Sequence, residues 1–340
     1  MKIDAWWFEN KQGMSEILQP EVLIPQSCCG VYAELETVVY PFTVVITAKK
    51  DQEVIYSREF CIEHQSESKD QYEINCTDST LTLKAITDNT ACLPTEISVE
   101  IAMGEKKYAE TVKCEYARLH GKITDFDGKP FPAAVICQRI GFDKDITIGV
   151  WSNKNGEYSV TVPKGRYNSF WIDDESYGKT SLENWCWNMH IDSDEEFDFK
   201  VGNGEVYSLS VWCNNGGGQT LFFWFRPMIL SKKSEYDTEI NGSLKTVTDI
   251  SPELELEDIT VMLCGKKLKL ISLQRIYETT ENSVMPAYII QTERPKGAVG
   301  KQTALIEYNT AKRSSDPGYT AQSQGRVQFY FKDSNGLTLM

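Results

Sequence analysis

Histidine is scarce in this chain of 340 residues: there are three, His64, His120 and His190. Nucleophilic catalysis by Ser or Cys needs a general base within reach. Three scattered histidines and the lack of a G-x-S-x-G elbow give no such pattern. No Cys-x-x-Cys pair occurs, which leaves a zinc centre without its usual ligand spacing. The glycine-rich "NNGGGQT" at 214–220 lacks the Lys of a phosphate loop, and strand patterns flank it instead of a helix start. It reads as a hairpin tip. The longest apolar run is "LFFWF", Leu221 to Phe225, far short of the roughly 18 residues of a membrane helix. Positive charge is also in deficit, with 35 Lys and Arg against 49 Asp and Glu. Nucleic acid and anionic membrane surfaces both need cationic partners, so neither is expected to bind.

Cysteine, by contrast, is plentiful. Six of the ten fall before residue 115, three between 116 and 231, and one, Cys264, after that. Odd counts in two of three regions do not suit a disulfide framework within each domain. Free thiols in a reducing, cytoplasmic setting fit better. The opening "MKIDAWWFENKQG" carries no signal-peptide core. The alternative is an exported protein whose leader has been removed.

Periodicity decides the fold class. "TVVITAKKDQEVIYSREFCI", "STLTLKAI" and "TEISVEIAMGEKKYAETVKCEY" alternate apolar and polar residues around short polar breaks. Side chains that alternate with period two line the faces of strands. Strands this short, separated by turn residues, predict a β-sandwich. The whole chain therefore reads as all-β, with three tandem β-sandwich domains. Residues 1–115 form an immunoglobulin-like sandwich of about seven strands, residues 116–231 a Trp-rich sandwich, and residues 232–340 a further sandwich. No amphipathic helix of ten or more residues is expected. The polar connector "AKRSSDPGYTAQSQG" reads as a long loop. Charge is uneven: residues 1–115 carry 10 basic against 20 acidic side chains, and residues 231–340 carry 14 of each. The acidic first domain reads as a solvated surface, with a basic partner as the alternative.

In the middle block, "GKITDFDGKPFPAAVI" is followed by "NKNGEYSVTVPKGRY". Asn155 and Gly156 are residues that a tight hairpin turn favours. This succession, over about residues 118–172, resembles the carboxypeptidase regulatory-like domain, set within a multi-domain all-β protein of bacterial type. The resemblance implies a transthyretin-like sandwich of seven strands. It also implies an accessory, stabilising or adhesive module without peptidase activity.

Six of the eight tryptophans lie between 151 and 224. "WCW" puts Trp185 and Trp187 on one strand face and Cys186 on the other. Trp171, Trp185, Trp187 and Trp212 are the candidate ligand-binding residues, because exposed indoles stack on sugars or on apolar partner surfaces. Burial in a core or at a domain junction is the competing reading. "LFFWF" is apolar on both faces and so is expected to be covered on both sides, by a neighbouring domain or by a second subunit in a homo-oligomer.

No cofactor is expected. "IDSDEEFD" offers oxygen ligands at alternate positions, and Asp192, Asp194 and Glu196 are the candidate set for Ca²⁺. The sequence favours a non-catalytic binding or structural protein with a protein or carbohydrate partner. The rival is a hydrolase, or an accessory subunit of a carbohydrate-active enzyme, using acidic loop residues: Asp173, Asp174 and Glu175 in one cluster, or Asp192, Asp194, Glu195, Glu196 and Asp198 in a second.

Overall fold

The computed structural model describes residues 2–10, 27–69, 71–87, 92–139, 147–214, 220–240, 242–279, 284–313, 320–331 and 337–339. The glycine-rich tip at 215–219 and the connector at 314–319 lie outside the described residues. The protein is all-β, with three β-sandwiches in tandem. Among the described residues the only helical pieces are two single 3₁₀ turns, Leu256–Asp258 and Thr310–Lys312. No helix is long and apolar enough to cross a membrane.

The first sandwich follows from the alternation. In Phe42–Lys50 the buried residues are Phe42, Val44, Ile46 and Ala48, and its antiparallel partner Glu96–Met103 buries Ile97, Val99, Ile101 and Met103. These fill a core against the facing sheet, whose strand order is Lys2–Phe8, Cys28–Glu34, Thr80–Ile86, Tyr72–Cys76, Ser66–Lys69. With Glu53–Ile62 and Lys106–Lys113 completing the other sheet, the sandwich has nine strands where the pattern suggested about seven. The difference lies partly in "SESKDQYEINC". Ser66–Lys69 is an exposed edge strand, and a polar edge has no apolar alternation to announce it.

The opening strand belongs to two cores. Ile3, Ala5 and Trp7 enter the first core, while Trp6 and Phe8 enter the core of the middle sandwich. The neighbouring strand repeats the split with Cys29 and Cys28. Gly30 pairs with Trp6 in register, and the indole lies over the space a side chain at Gly30 would fill. Arg139 fastens the same joint. Its guanidinium donates to Asp4 Oδ2 at 3.2 Å and to the Lys164 carbonyl at 3.0 Å.

The middle sandwich packs two layers. One joins Glu157–Pro163, Tyr116–Asp125 and the short strands Glu195–Glu196 and Phe199–Val201. The other begins a nine-stranded sheet with Thr147–Trp151, Ala134–Arg139, Gly165–Asp173 and Asn184–Ile191. That sheet does not stop at the end of the middle sandwich. Asn184–Ile191 pairs in parallel with Gln322–Phe331, through Cys186↔Arg326 and Trp187↔Val327, and continues into Gly300–Asn309 and Ile259–Leu263. The middle and third sandwiches thus share one sheet.

The third core lies between this sheet and a six-stranded one built on Gly204–Trp212, Thr220–Ile229, Val284–Glu293 and Leu270–Thr279. Val206, Leu221, Phe223, Phe225, Ile290, Ile306 and Phe329 fill it, so strands that precede residue 232 contribute to this core. The doubly apolar "LFFWF" resolves into Leu221, Phe223 and Phe225 inside and half-buried Phe222 and Trp224 on the outer face. All ten cysteines are free.

Substituting Gly30→Ala should destabilise the protein by about 1–3 kcal/mol, because the new methyl displaces Trp6 from the middle core. Chemical denaturation would measure it. An unchanged midpoint would show that Trp6 does not set the joint between the first two sandwiches.

Candidate functional site

Two left-handed residues shape the most unusual place in the molecule. Asn188 takes φ 55° and Ser208 takes φ 59°, left-handed values that non-glycine residues seldom adopt. Ser208 adds one residue to its strand and shifts its register on Thr220–Ile229. Asn188 keeps its strand in register with Gly165–Asp173, and the alternation of buried side chains resets at both. Around Asn188, Cys186, Met189 and Ile191 all enter the middle core. Around Ser208, Val206, Leu209 and Val211 all enter the third core. Trp187 and Tyr207, the residues just before Asn188 and Ser208, are left facing one another across the junction.

There the tryptophans stack. Trp171 and Trp185 are cross-strand partners with ring centroids 5.2 Å apart, and Trp185 and Trp187 lie 4.8 Å apart and within 10° of parallel. Tyr207 stands perpendicular to both, at 5.5 and 5.4 Å. Behind Tyr207, the Arg226 guanidinium sits 5.5 Å from the ring centroid and is held by Glu278, whose Oε2 accepts from Nε at 3.0 Å. The stack sits at the joint: Trp187 packs against the third core, Trp171 against Ala134 and Ile136. All three indoles are half-buried.

Carboxyl groups line the same corner. Asp173 and Glu183 stand two residues beyond Trp171 and before Trp185, and so share their face. Glu205 stands two before Tyr207 and is buried at 2% exposure. Burial pushes all three up: Asp173 to about 6, with the Asp174 charge adding, and Glu183 to about 7, with the Asp173 charge adding. Glu205 rises to about 8, with the Glu183 charge adding. The Trp185 Nε1–H makes no hydrogen bond of full geometry, nor does Glu205 Oε1. The indole N–H still draws both glutamates part of the way back down, helped by Tyr177 at Glu183 and by Arg226 at Glu205. Burial and these acids push the Tyr177 phenol up to about 12.

The sequence places Trp185 and Trp187 on one face, and in the structure Trp171 joins their stack. Trp212 lies elsewhere. It stacks on Phe222 at 5.4 Å, on the outer face of the six-stranded sheet, and is 37% exposed. The acidic segment has other duties. Asp192 and Glu195 accept from Lys301 Nζ at 2.8 and 2.6 Å. Asp194 Oδ1 accepts the Arg118 backbone N–H, and Asp198 Oδ1 that of Lys122, both at 2.8 Å. Glu196 pairs by backbone register with His120. Among the described residues no three His, Cys, Asp or Glu side chains gather as metal ligands. Sequence reading missed Glu183, Glu205, Tyr207 and Arg226. The i±2 spacing of Glu183 from Trp185 was a usable signal. Glu205 and Tyr207 come from another sheet, and only the fold brings them here.

No family model matches the chain, and no curated protein matches it. Among solved structures the chain is similar to BcpA, the major pilin subunit of Bacillus cereus, at 13% identity over 63% of this chain and 69% of that one, with a TM-score of 0.19. It is also similar to the Bacillus anthracis TIE protein, at 10% identity over 98% and 73%, TM-score 0.20. A C-terminal fragment of the pilus adhesin SpaC from Lactobacillus rhamnosus GG matches at 6% identity over 72% and 87%, TM-score 0.15.

Glu205 should make stability pH-dependent. The fold favours its neutral form, so the folded protein keeps a proton that the unfolded chain releases near 4.5. Stability from this site is complete below about pH 4.5 and is lost as pH rises through about 8. Glu205→Gln should remove a loss on the order of 2 kcal/mol between about pH 5 and about pH 9. Urea unfolding across that range would show parallel curves for the two proteins if Glu205 is ionised at neutral pH.

Proposed function

We propose that this is a non-catalytic structural or binding protein whose middle and third sandwiches act as one rigid body. The observation that carries this reading is the closed indole stack. Trp185 has one face on Trp171 and the other on Trp187, and Tyr207 meets both edge-on. A sugar-binding indole needs a free face, and Trp185 has none to offer. The cluster works as a weld between domains. The aromatic surface left for a partner is the outer face of the six-stranded sheet, where Trp212, Phe222 and Trp224 stand in a row. A flat, partly exposed aromatic face suits another protein's apolar surface, including a second copy of this chain. Within this reading the middle sandwich is a carboxypeptidase regulatory-like module, a resemblance that fits an accessory role.

A second reading has one observation in its favour. Two carboxyl groups near neutrality beside an indole are what a carbohydrate-active enzyme, or its accessory subunit, would use as acid and base. A Ca²⁺ at Asp192, Asp194 and Glu196 would have to displace Lys301 from Asp192 and the Arg118 backbone N–H from Asp194.

Trp187→Ala should cost about 1–3 kcal/mol and split one cooperative unfolding transition of the middle and third sandwiches into two, seen by calorimetry. Trp212→Ala should leave the melting profile unchanged and weaken partner capture or self-association, read by sedimentation. Turnover on a glycan panel that disappears in Glu183→Gln and Glu205→Gln would replace the non-catalytic reading with the enzymatic one.

A further inference from the structure

The third sandwich carries a concentration of positive charge that runs against the rest of the molecule. The hairpin between Ile259–Leu263 and Lys266–Lys267 turns at Cys264 and Gly265, with φ 45° and 77°. Two successive left-handed residues make the tight turn that matches strand twist. Leu268 then plugs into the third core and holds the hairpin down. Opposite it runs the loop that follows Val284–Glu293. Between hairpin and loop is a cavity of about 600 Å³, lined by Lys266, Lys267, Lys269, Arg294, Lys296 and a single acid, Glu293.

Elsewhere in the molecule cations such as Lys49, Lys106, Lys200 and Lys301 pair with acids. Here Lys269 pairs with Glu293 at 2.8 Å, an exposed contact that contributes little. Lys266, Lys267 and Lys296 have no acidic partner among the described residues. Arg294 is held in place, its guanidinium 4.5 Å from the Phe331 ring centroid. Cations gathered around a concavity with a single acid among them repel one another, and an anion relieves that repulsion. The volume is that of a small-molecule site. Lysine ammoniums are point charges suited to tetrahedral oxyanions, whereas carboxylates favour the planar fork of arginine. Four lysines spread around the cavity outnumber what one oxyanion group can engage.

We propose that this cavity binds a ligand carrying two or more phosphate or sulfate groups. The ligand is either a free oligophosphate or a sulfated saccharide, which share this chemistry.

Titration calorimetry with inorganic tripolyphosphate in one arm and a sulfated heparin tetrasaccharide in the other tests it. At about 50 mM salt at least one should bind saturably, and affinity should fall steeply by about 200 mM, as screened charge contacts do. The triple variant Lys266→Gln, Lys267→Gln, Lys296→Gln should lose about tenfold or more in affinity. All three side chains are exposed, so its melting temperature should stay put. Lys107→Gln, on the first sandwich, should bind as the parent does. Binding only of tripolyphosphate assigns a small oligophosphate, and binding only of the tetrasaccharide assigns a sulfated polymer. No heat from either at about 1 mM ligand, or undiminished binding by the triple variant, would overturn the proposal.

Discussion

The architecture depends on strands whose two faces are buried in different cores. A strand covered on one side only can slip or detach at the cost of one apolar face. A strand that serves two cores must abandon both. Lys2–Phe8 does this between the first and middle sandwiches, with Trp7 on one side and Trp6 and Phe8 on the other. Asn184–Ile191 does it between the middle and third, with Cys186, Met189 and Ile191 on one side and Trp187 on the other. Three sandwiches that would otherwise be beads on a string are tied twice, each time by tryptophan.

The second tie also governs the electrostatics. Packing Tyr207 and its strand over the indole stack takes Glu205 out of water, and no cation replaces the water lost. Arg226, the nearest positive group to act on Glu205, spends its guanidinium on the Tyr207 ring and on Glu278. The result is a set of acids that hold protons near neutrality. The raised carboxyls of this corner are a by-product of domain fusion as much as a chemical device, so their presence alone does not argue for catalysis.

Much of this was legible in the sequence. Period-two alternation announced the strands, and "WCW" announced a shared tryptophan face. The turn residues Asn153–Gly156 marked a real turn, but not the expected hairpin: the strands on either side, Thr147–Trp151 and Glu157–Pro163, lie in different sheets, so the chain crosses the sandwich there. What stayed hidden has common physical causes. The strand Ser66–Lys69 is polar because it lies at an edge. The left-handed residues Asn188 and Ser208 reset the alternation, and neither Asn nor Ser signals a left-handed conformation as glycine does. The nine-stranded sheet rests on a parallel pairing between residues about 140 apart in the chain, and no local pattern encodes such a partner. Glu205 lies in that gap as well: nothing near it in sequence hints that Trp185 will cover it.

The parallel seam between Asn184–Ile191 and Gln322–Phe331 sets an order of assembly. Its second strand is made about 140 residues after its first, yet it occupies the centre of the widest sheet. Until it arrives, the edge of the middle sandwich stands open, with unsatisfied backbone groups and bare indole beside it. The seam closes only after that interval, and a nascent chain must keep the edge from pairing with the wrong neighbour throughout it.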